Sequence, residues 1–433
     1  MRKDVIVVGL ALFAIFFGAG NLIFPPLLGL ISGDDWLVGT LGFLLSDTTL
    51  ALLGIIAVAI VPGGFDGLGN KVGPVFSKVL GVTIMLTLGP LLALPRTGAV
   101  THEMGILPLL SSAPLWLVTG LYFLGSMVFV FDQKGVMDKI GKWLTPALLL
   151  SLLAIIVAGI FFPISDPLPA SIPSVFGNGF ISGYQTVDGI CSIILARIIV
   201  NTLEEKGYVK ARQKVIMTIL SGIIAMGLIS LVYTGLIYLG ASSVSIAPAD
   251  VSRTGLFVLI VNNLLGSAGT VMISIAVILA CFTTAIGLTA TTGAYFYHIS
   301  KGKVSYKFTV VAVTIISLLI ANLGVESIVR FSGPVLMMLY PPVIILILSA
   351  LIDRFALSRV YYRTAVYTAL LMSVPAMLSA FGFPLSGMDH VLARLPLASY
   401  ELGWLLPSFA LGFAAEMLFR LLIRPRQNRL AVS

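Results

Sequence analysis

The stretch from Leu10 to Leu30 reads LALFAIFFGAGNLIFPPLLGL, an apolar segment that small and polar residues interrupt near its middle. Glycine lowers the stability of a helix interior by roughly 1 kcal/mol, and proline removes a backbone hydrogen-bond donor. The interruption spans Gly18 to Asn21, and Pro25 and Pro26 follow it. We therefore expect a first membrane-spanning helix that opens near residues 18–21.

The composition around this stretch is that of a membrane protein. Of the 433 residues, 58% are hydrophobic and only 10% are charged, whereas a soluble protein carries about 25% charged residues. The apolar residues come in runs long enough to cross a hydrocarbon core, which needs about 20 helical residues. Because lipid offers the backbone no hydrogen-bond partner, such runs must be helical. The sequence predicts an all-α integral membrane protein.

The apolar runs divide the chain into about twelve spans. We predict them at 5–31, 36–61, 76–101, 114–131, 145–162, 176–200, 215–240, 266–298, 308–322, 328–351, 364–383 and 400–422. Basic residues favour cytoplasmic loops. With both termini cytoplasmic, this topology places all 26 Lys and Arg residues on the cytoplasmic side except Arg96, Arg253, Arg330 and Arg394. The basic loops explain the net charge of +8 better than a nucleic-acid partner does.

A second polar interruption lies in the sixth span, where residues 183–189 read GYQTVDG. Amide, hydroxyl and carboxyl groups would be expensive facing lipid, so we expect this helix to be broken as well. Breaks in spans one and six indicate two inverted five-helix repeats, at 1–162 and 176–351, followed by two additional spans at 364–422. The alternative is that both stretches are packing glycines with a proline kink.

Broken helices suit a zwitterion that travels with a cation. Free N–H groups at the start of a half-helix attract a carboxylate, and unpaired carbonyls at the end of the preceding one attract an amine or a sodium ion. The eighth span, LACFTTAIGLTATTG at 279–293, adds Thr283 and Thr284 as neutral oxygen ligands for a hard cation. Hydroxyls that bond back to their own helix are the alternative for these threonines.

Two charged residues within spans leave alternatives open. Arg96, in LGPLLALPRTG of span three, either snorkels to the outer headgroups or forms an outer gate by pairing with a carboxylate or carbonyls. Asp47 in span two is either a paired structural charge or a proton-linked group.

The motifs FFGAGNLIFPPLLG, GPLLALPRT and GYQTVDG, together with the span count, resemble those of the bacterial branched-chain amino acid:cation symporters, which have the leucine-transporter fold. The resemblance implies a transporter rather than an enzyme, in the bacterial inner membrane. It implies sodium-coupled uptake of leucine, isoleucine and valine by alternating access, with sodium as the coupling ion and no organic cofactor. A proton-coupled or exchange-type carrier of the same fold is the alternative.

The same resemblance assigns residues to two sites. The backbone N–H groups of Ala19 and Gly20 would face the substrate carboxylate, and the amino group and side chain would meet the region of Ser182, Gly183, Tyr184 and Gln185. A sodium ion would be held by Ala14, Phe17, Ala280, Thr283 and Thr284, with Asn21 available where a first ion site exists. Arg96 is the gate candidate, and Asp188 is a candidate partner for the substrate amine.

Overall fold

The structure is a computed structural model that describes residues 2–131, 136–205, 207–208, 210–353, 356–383 and 385–422. Within these ranges the regular secondary structure is helical and no strand occurs. The all-α prediction is confirmed. Several of the basic residues used for the topology, among them Lys134, Arg354 and Arg426, lie outside the described residues.

Eighteen α-helices follow one another along the described chain. They are α1 (Arg2–Phe16), α2 (Ala19–Ser32), α3 (Trp36–Leu44), α4 (Leu50–Ile60), α5 (Gly64–Asn70), α6 (Pro74–Leu86), α7 (Ala93–Val100), α8 (Leu115–Phe131), α9 (Val136–Phe161), α10 (Val175–Tyr184), α11 (Asp188–Glu205), α12 (Ala211–Ala241), α13 (Arg253–Ile299), α14 (Tyr306–Ala321), α15 (Val325–Leu351), α16 (Arg359–Ala380), α17 (Ser386–Ala393) and α18 (Leu405–Leu422). Three π-helical segments accompany these helices: Leu45–Thr49 joins α3 to α4, Thr87–Leu91 lies between α6 and α7, and Thr101–Ile106 extends α7.

Each predicted span coincides with one helix or with two consecutive helices of the chain. By length and composition, six helical stretches of the described chain are able to cross a membrane, and shorter apolar helices accompany them. α13 begins at Arg253, before the predicted eighth span, and is kinked at Gly266, where φ is +62°. The sequence reasoning missed the short helices α5 and α17.

The chain divides into two compact units. The first contains Met1–Thr48, Thr83–Asp188 and Leu220–Ser332, and the second contains Thr49–Val82, Gly189–Ile219 and Gly333–Ser433. These units are defined by packing, whereas the predicted repeats are defined by symmetry. The repeat boundaries at 1–162 and 176–351 and the pair of added spans at 364–422 therefore stay a prediction.

Glycines allow helices of the first unit to touch backbone to backbone. A Cβ atom on Gly42 of α3 would lie 2.2 Å from the Phe176 carbonyl oxygen. A Cβ atom on Gly179 of α10 would lie 2.2 Å from the Gly39 carbonyl oxygen. Small residues at such crossings are the usual way for membrane helices to pack closely. α10 is thereby held against α3, and this packing positions the break that follows α10.

The second unit is closed by polar contacts at helix ends. Lys71 pairs with Asp353, and the Arg363 guanidinium donates to the Val72 carbonyl at 2.8 Å. Glu416 of α18 accepts from the amide of Ser358 at 3.0 Å, at the start of α16. None of the residues predicted to bind substrate or sodium lies in this unit.

Candidate functional site

The first span is broken, as predicted. α1 ends at Phe16 and α2 begins at Ala19, with Gly18 extended at φ −122° and ψ −164°. The Gly18 amide donates to Asn21 Oδ1 at 2.9 Å, whereas in a continuous helix it would bond to the carbonyl four residues earlier, that of Ala14. The break is narrower than expected, because Asn21 already belongs to α2.

The second break follows α10. Tyr184 ends this helix, α11 begins at Asp188, and Val187 between them has a φ of +73°. A positive φ is unusual for a β-branched residue and marks a backbone that its surroundings hold in place. Gly183 allows the end of α10 to pack closely against Ser46, because a Cβ atom at position 183 would lie 2.1 Å from Ser46 Oγ. The predicted break in the sixth span is confirmed.

The two breaks face each other. A Cβ atom placed on Gly20 would lie 3.3 Å from Thr186 Cα, so the backbone of α2 comes close to the loop between α10 and α11. The predicted carboxylate donors, the amides of Ala19 and Gly20, are in the first turn of α2, where N–H groups have no partner within the helix. The predicted residues Ser182, Gly183, Tyr184 and Gln185 end α10 and begin the loop, where the Ser182 and Tyr184 carbonyls accept the amides of Gln185 and Val187 at 3.1 Å.

Arg96 joins α7 to the second break. Its Nη1 donates to the Gln185 carbonyl at 2.6 Å, and the guanidinium lies 5.3 Å from the centre of the Phe24 ring. The side chain is only 3% exposed. The first alternative, that the Arg96 side chain snorkels to the headgroups, is therefore wrong. The second alternative, that Arg96 pairs with a carbonyl, agrees with the contact to Gln185. A gating role for this contact stays a prediction.

The threonine pair of α13 lies beside the first break. Thr284 Oγ1 would be 3.6 Å from a Cβ atom on Gly18, so this part of α13 lies against the break that follows α1. The hydroxyls of Thr283 and Thr284 both donate to the Ala280 carbonyl at 2.9 Å. Their lone pairs remain as acceptors, so this back-bonding is compatible with a cation ligand. The structure places Thr284 and the Ala280 carbonyl that it contacts beside the first break, and the ion site itself stays a prediction.

A buried polar cluster extends from the breaks to α12. Asp188 Oδ2 accepts from Asn21 Nδ2 at 2.7 Å and from the Tyr233 hydroxyl at 3.3 Å, and Asn21 also donates to Tyr233. On the other side of the loop, Asp47 Oδ1 lies 2.6 Å from Thr186 Oγ1. Asn21 and Asp188 thus have protein partners in this structure, in addition to the roles predicted for them.

Sequence reasoning missed two residues of this region. Tyr233 is fully buried in α12, and Ser332 Oγ lies 2.9 Å from Gln185 Oε1. A phenol in the middle of an aliphatic span was an available signal, because a buried tyrosine hydroxyl needs a hydrogen-bond partner. Ser332 carried no comparable signal, since serines in membrane helices commonly bond to their own backbone, as this one also does.

Comparison with known proteins agrees with this architecture. Structurally, the chain is similar to the nucleobase-cation-symport-1 family transporter Mhp1 in a closed conformation (TM-score 0.60, 12% identity, 96% of this chain and 94% of that chain covered). It is similar to a Na⁺-coupled sialic acid symporter in an outward-open state (TM-score 0.60, 11% identity, 96% and 90% covered). At these identities the likeness shows the fold, which is that of the leucine transporter.

Sequence relatives cover nearly the whole chain. The branched-chain amino acid permease BraB of Bacillus subtilis is 37% identical over 98% of this chain and 97% of its own length. The branched-chain amino acid transport system 2 carrier protein of Pseudomonas aeruginosa is 35% identical over 98% of both chains. A family model described as "Branched-chain amino acid transport protein" matches residues 1–421. The chain is therefore a membrane transporter, not an enzyme, and belongs to the family of branched-chain amino acid transport proteins.

Proposed function

We propose that this protein imports leucine, isoleucine and valine by sodium symport through alternating access. The observation that carries the proposal is the meeting of two helix breaks, with Thr284 beside the first and a distance of only 3.3 Å from a Gly20 Cβ position to Thr186 Cα. The names of the sequence relatives support branched-chain amino acids as the substrate class.

The helix ends at the breaks match the two charges of an amino acid. The start of α2 presents the amides of Ala19 and Gly20 with the positive end of a helix dipole, which favours a carboxylate. The end of α10 carries the negative end of a helix dipole, and the Ser182 and Tyr184 carbonyls, which each accept one backbone amide, keep a second lone pair for an ammonium group. Both partners are backbone groups, so this arrangement recognises the part that all amino acids share. Selection of an aliphatic side chain falls to the apolar residues around it.

The place beside Thr284 suits a sodium ion. Sodium is a hard cation and takes oxygen ligands, and neutral hydroxyls and carbonyls hold it without burying another full charge. The break diverts the Gly18 amide from the Ala14 carbonyl to Asn21, which leaves that carbonyl oxygen for a cation. Together with the Phe17 and Ala280 carbonyls and the hydroxyls of Thr283 and Thr284, it would complete the ligand set.

Coupling requires that the ligands stabilise one state of the carrier over another. Arg96 is positioned for this, because its contact with the Gln185 carbonyl ties α7 to the loop that receives the substrate. Substrate bound between the breaks would stabilise the closed contact. Sodium bound at the first break would fix the backbone conformation at the start of α2 before the substrate binds.

A proton-coupled or exchange-type carrier is the second candidate, and the burial of Asp47 and Asp188 favours it. Both carboxyl groups lie in the first unit, 0% and 4% exposed, next to the second break. Such groups in membrane proteins often belong to proton relays. In this second candidate a carboxyl group would take the place of sodium as the coupled site.

Uptake by proteoliposomes separates the two candidates. Purified protein is reconstituted, and accumulation of labelled leucine is measured under an imposed sodium gradient, an imposed proton gradient or neither. We expect accumulation above equilibrium with sodium alone, and competition by isoleucine and valine but not by charged amino acids. Accumulation driven by protons alone would refute sodium coupling, and competition by charged amino acids would refute the substrate class.

Orientation in the bacterial inner membrane, with both termini cytoplasmic, is the remaining part of the proposal. It is supported by the distribution of Lys and Arg over the predicted loops. A reporter that is active only in the cytoplasm, fused after Ser433, is expected to be active, and the same reporter inserted near Asp166 is expected to be silent. The reverse result would invert the topology.

A further inference from the structure

Asp47 occupies an unusual position for a carboxyl group. It lies in the π-helical segment Leu45–Thr49 and is 0% exposed. Oδ1 contacts Thr186, whereas Oδ2 is buried without a hydrogen bond of normal geometry among the residues that the structure describes, with the Tyr233 hydroxyl as a neighbour of the carboxyl group. A buried carboxylate with one oxygen unsatisfied is expensive, and most of all within a membrane. The carboxyl group therefore needs either a bound cation or a proton.

A count of hydrogens at Thr186 distinguishes these two. Thr186 Oγ1 lies 2.6 Å from Asp47 Oδ1 and 2.7 Å from the Gly183 carbonyl oxygen. A threonine hydroxyl has one hydrogen to donate, and a carbonyl can only accept. If Asp47 were ionised, one of these two short contacts would join bare oxygen lone pairs and would be repulsive. With a proton on Asp47 Oδ1, both contacts are hydrogen bonds.

The Asp188 amide completes the same pattern. It donates to Thr186 Oγ1 at 3.5 Å, so the hydroxyl accepts from Asp188, accepts from protonated Asp47 and donates to Gly183. Two lone pairs and one hydrogen are then all used. The three bonds together fix the loop between α10 and α11, which also carries the Gln185 carbonyl that Arg96 contacts.

We propose that the Asp47 carboxyl group is a proton-binding site that locks the second break. In this structure it carries a proton and donates it to Thr186 Oγ1. When the proton leaves for the solvent, the carboxylate competes with the Gly183 carbonyl for the single Thr186 hydrogen, and the loop loses one of its bonds. The consequence for substrate affinity rests on the proposed function, whereas the proton itself does not.

The groups around Asp47 support a neutral carboxyl there. The titratable or charged side chains that face it are Asp188 at the start of α11, Tyr233 of α12 and, further away, Arg96 of α7. Tyr233 neighbours both carboxyl groups, but Asn21 Nδ2 donates to Asp188 at 2.7 Å, so Asp188 is the better place for the negative charge. A second carboxylate beside it would add like-charge repulsion in a medium of low dielectric constant. A single negative charge faces the single positive charge of Arg96.

Infrared spectroscopy tests the proton directly. Protein in lipid nanodiscs at neutral pH is compared with the Asp47→Asn variant and with Asp66→Asn, which makes the same chemical change at an exposed position of α5. We expect the absorption band of a protonated carboxyl C=O to be lost in Asp47→Asn and to remain in Asp66→Asn. If Asp47→Asn removes only carboxylate bands, Asp47 is ionised and the proposal is refuted.

Leucine binding tests the lock. An asparagine amide at position 47 can donate to Thr186 as a protonated carboxyl does, but it does not titrate. At saturating sodium, we expect the leucine affinity of the wild type to fall roughly five- to tenfold between about pH 5 and about pH 9. This factor corresponds to the loss of one neutral hydrogen bond. The Asp47→Asn variant is expected to bind at every pH with the affinity that the wild type has at low pH.

The possible outcomes distinguish a failure of the Asp47 proton site from a failure of the proposed function. If Asp47→Asn is folded, by an unchanged elution volume and melting temperature, but has lost sodium-dependent leucine binding, a charge is required at position 47 and the proton is refuted. A wild-type affinity that does not change with pH refutes the lock. If wild type binds no leucine at any pH while the infrared band is present, the proposed function fails and the proton site stands.

Discussion

Substitution of Gly20 by alanine probes the closest approach in the site. A Cβ atom at this position would lie 2.6 Å from Arg96 Nη2 and 3.3 Å from Thr186 Cα. Carbon and nitrogen atoms need about 3.5 Å between them, so the guanidinium must move by roughly 1 Å. The same Cβ atom would also press on the Thr186 backbone, which cannot turn aside as a side chain can.

The size of the effect follows from the contact that this movement breaks. Arg96 Nη1 is 2.6 Å from the Gln185 carbonyl oxygen, and a shift of roughly 1 Å takes this distance beyond the range of about 2.7–3.2 Å for such bonds. A hydrogen bond to a charged group contributes about 1.5–3 kcal/mol. If the leucine-bound state needs this bond, Gly20→Ala weakens leucine binding roughly 10- to 100-fold.

Equilibrium binding of labelled leucine to purified protein at saturating sodium measures this loss. The matched control is Gly227→Ala in α12, because a Cβ atom there meets nothing within 4 Å. We expect wild-type affinity for the control and the stated loss for Gly20→Ala, with both proteins eluting as the wild type does. Wild-type affinity in Gly20→Ala would refute both the contact between α2 and Arg96 and the placement of the substrate between the breaks.

Three further predictions concern neighbouring parts of the site. Thr284→Ala is expected to raise the sodium concentration for half-maximal uptake at least roughly tenfold, since a lost ligand to a charged ion contributes about 1.5 kcal/mol or more, while Thr284→Ser retains sodium activation. Arg96→Lys keeps the charge but not the planar fork; it is expected to weaken leucine binding and to speed the release of bound leucine, measured by chasing labelled leucine with an excess of unlabelled leucine. Gly183→Ala places a Cβ atom 2.8 Å from the Phe43 carbonyl oxygen. This overpacking is expected to lower the free energy of unfolding by about 1–3 kcal/mol, which is measured as a lower melting temperature.

Much of the fold could be predicted from the sequence, because the membrane imposes simple rules. Apolar runs of sufficient length have to be helices, and the predicted spans coincide with helices along the chain. The break at Gly18 was visible for the same reason, since glycine, asparagine and proline are out of place in an apolar helix. The π-helical segments, such as Leu45–Thr49, were not visible, because tertiary packing decides where one extra residue is inserted into a turn.

The site was only half predictable, since sequence spacing does not tell which polar side chains of different helices meet. The polar stretch GYQTVDG indicated the second break, but not that the Gln185 carbonyl would be the partner of Arg96. The sequence left Arg96 between snorkelling and pairing, and only its burial decides for pairing. Tyr233 and Thr186 gain their roles from contacts across the chain, with Asp188 and Asp47.

The charges of the candidate site bear on how the membrane potential would act on the carrier if it works by the proposed sodium symport. If Asp47 carries a proton, Asp188 and Arg96 balance each other and the empty site is neutral. A zwitterionic leucine adds no net charge, so the loaded site carries the charge of the sodium ion alone. The membrane potential then acts on the loaded carrier with roughly 2 kcal/mol per charge at about 90 mV, and it leaves the return of the empty carrier almost unaffected. An ionised Asp47 would reverse this, because the empty carrier would carry the charge and a loaded one would be neutral. The proton on Asp47 thus decides which half of the transport cycle the membrane potential drives.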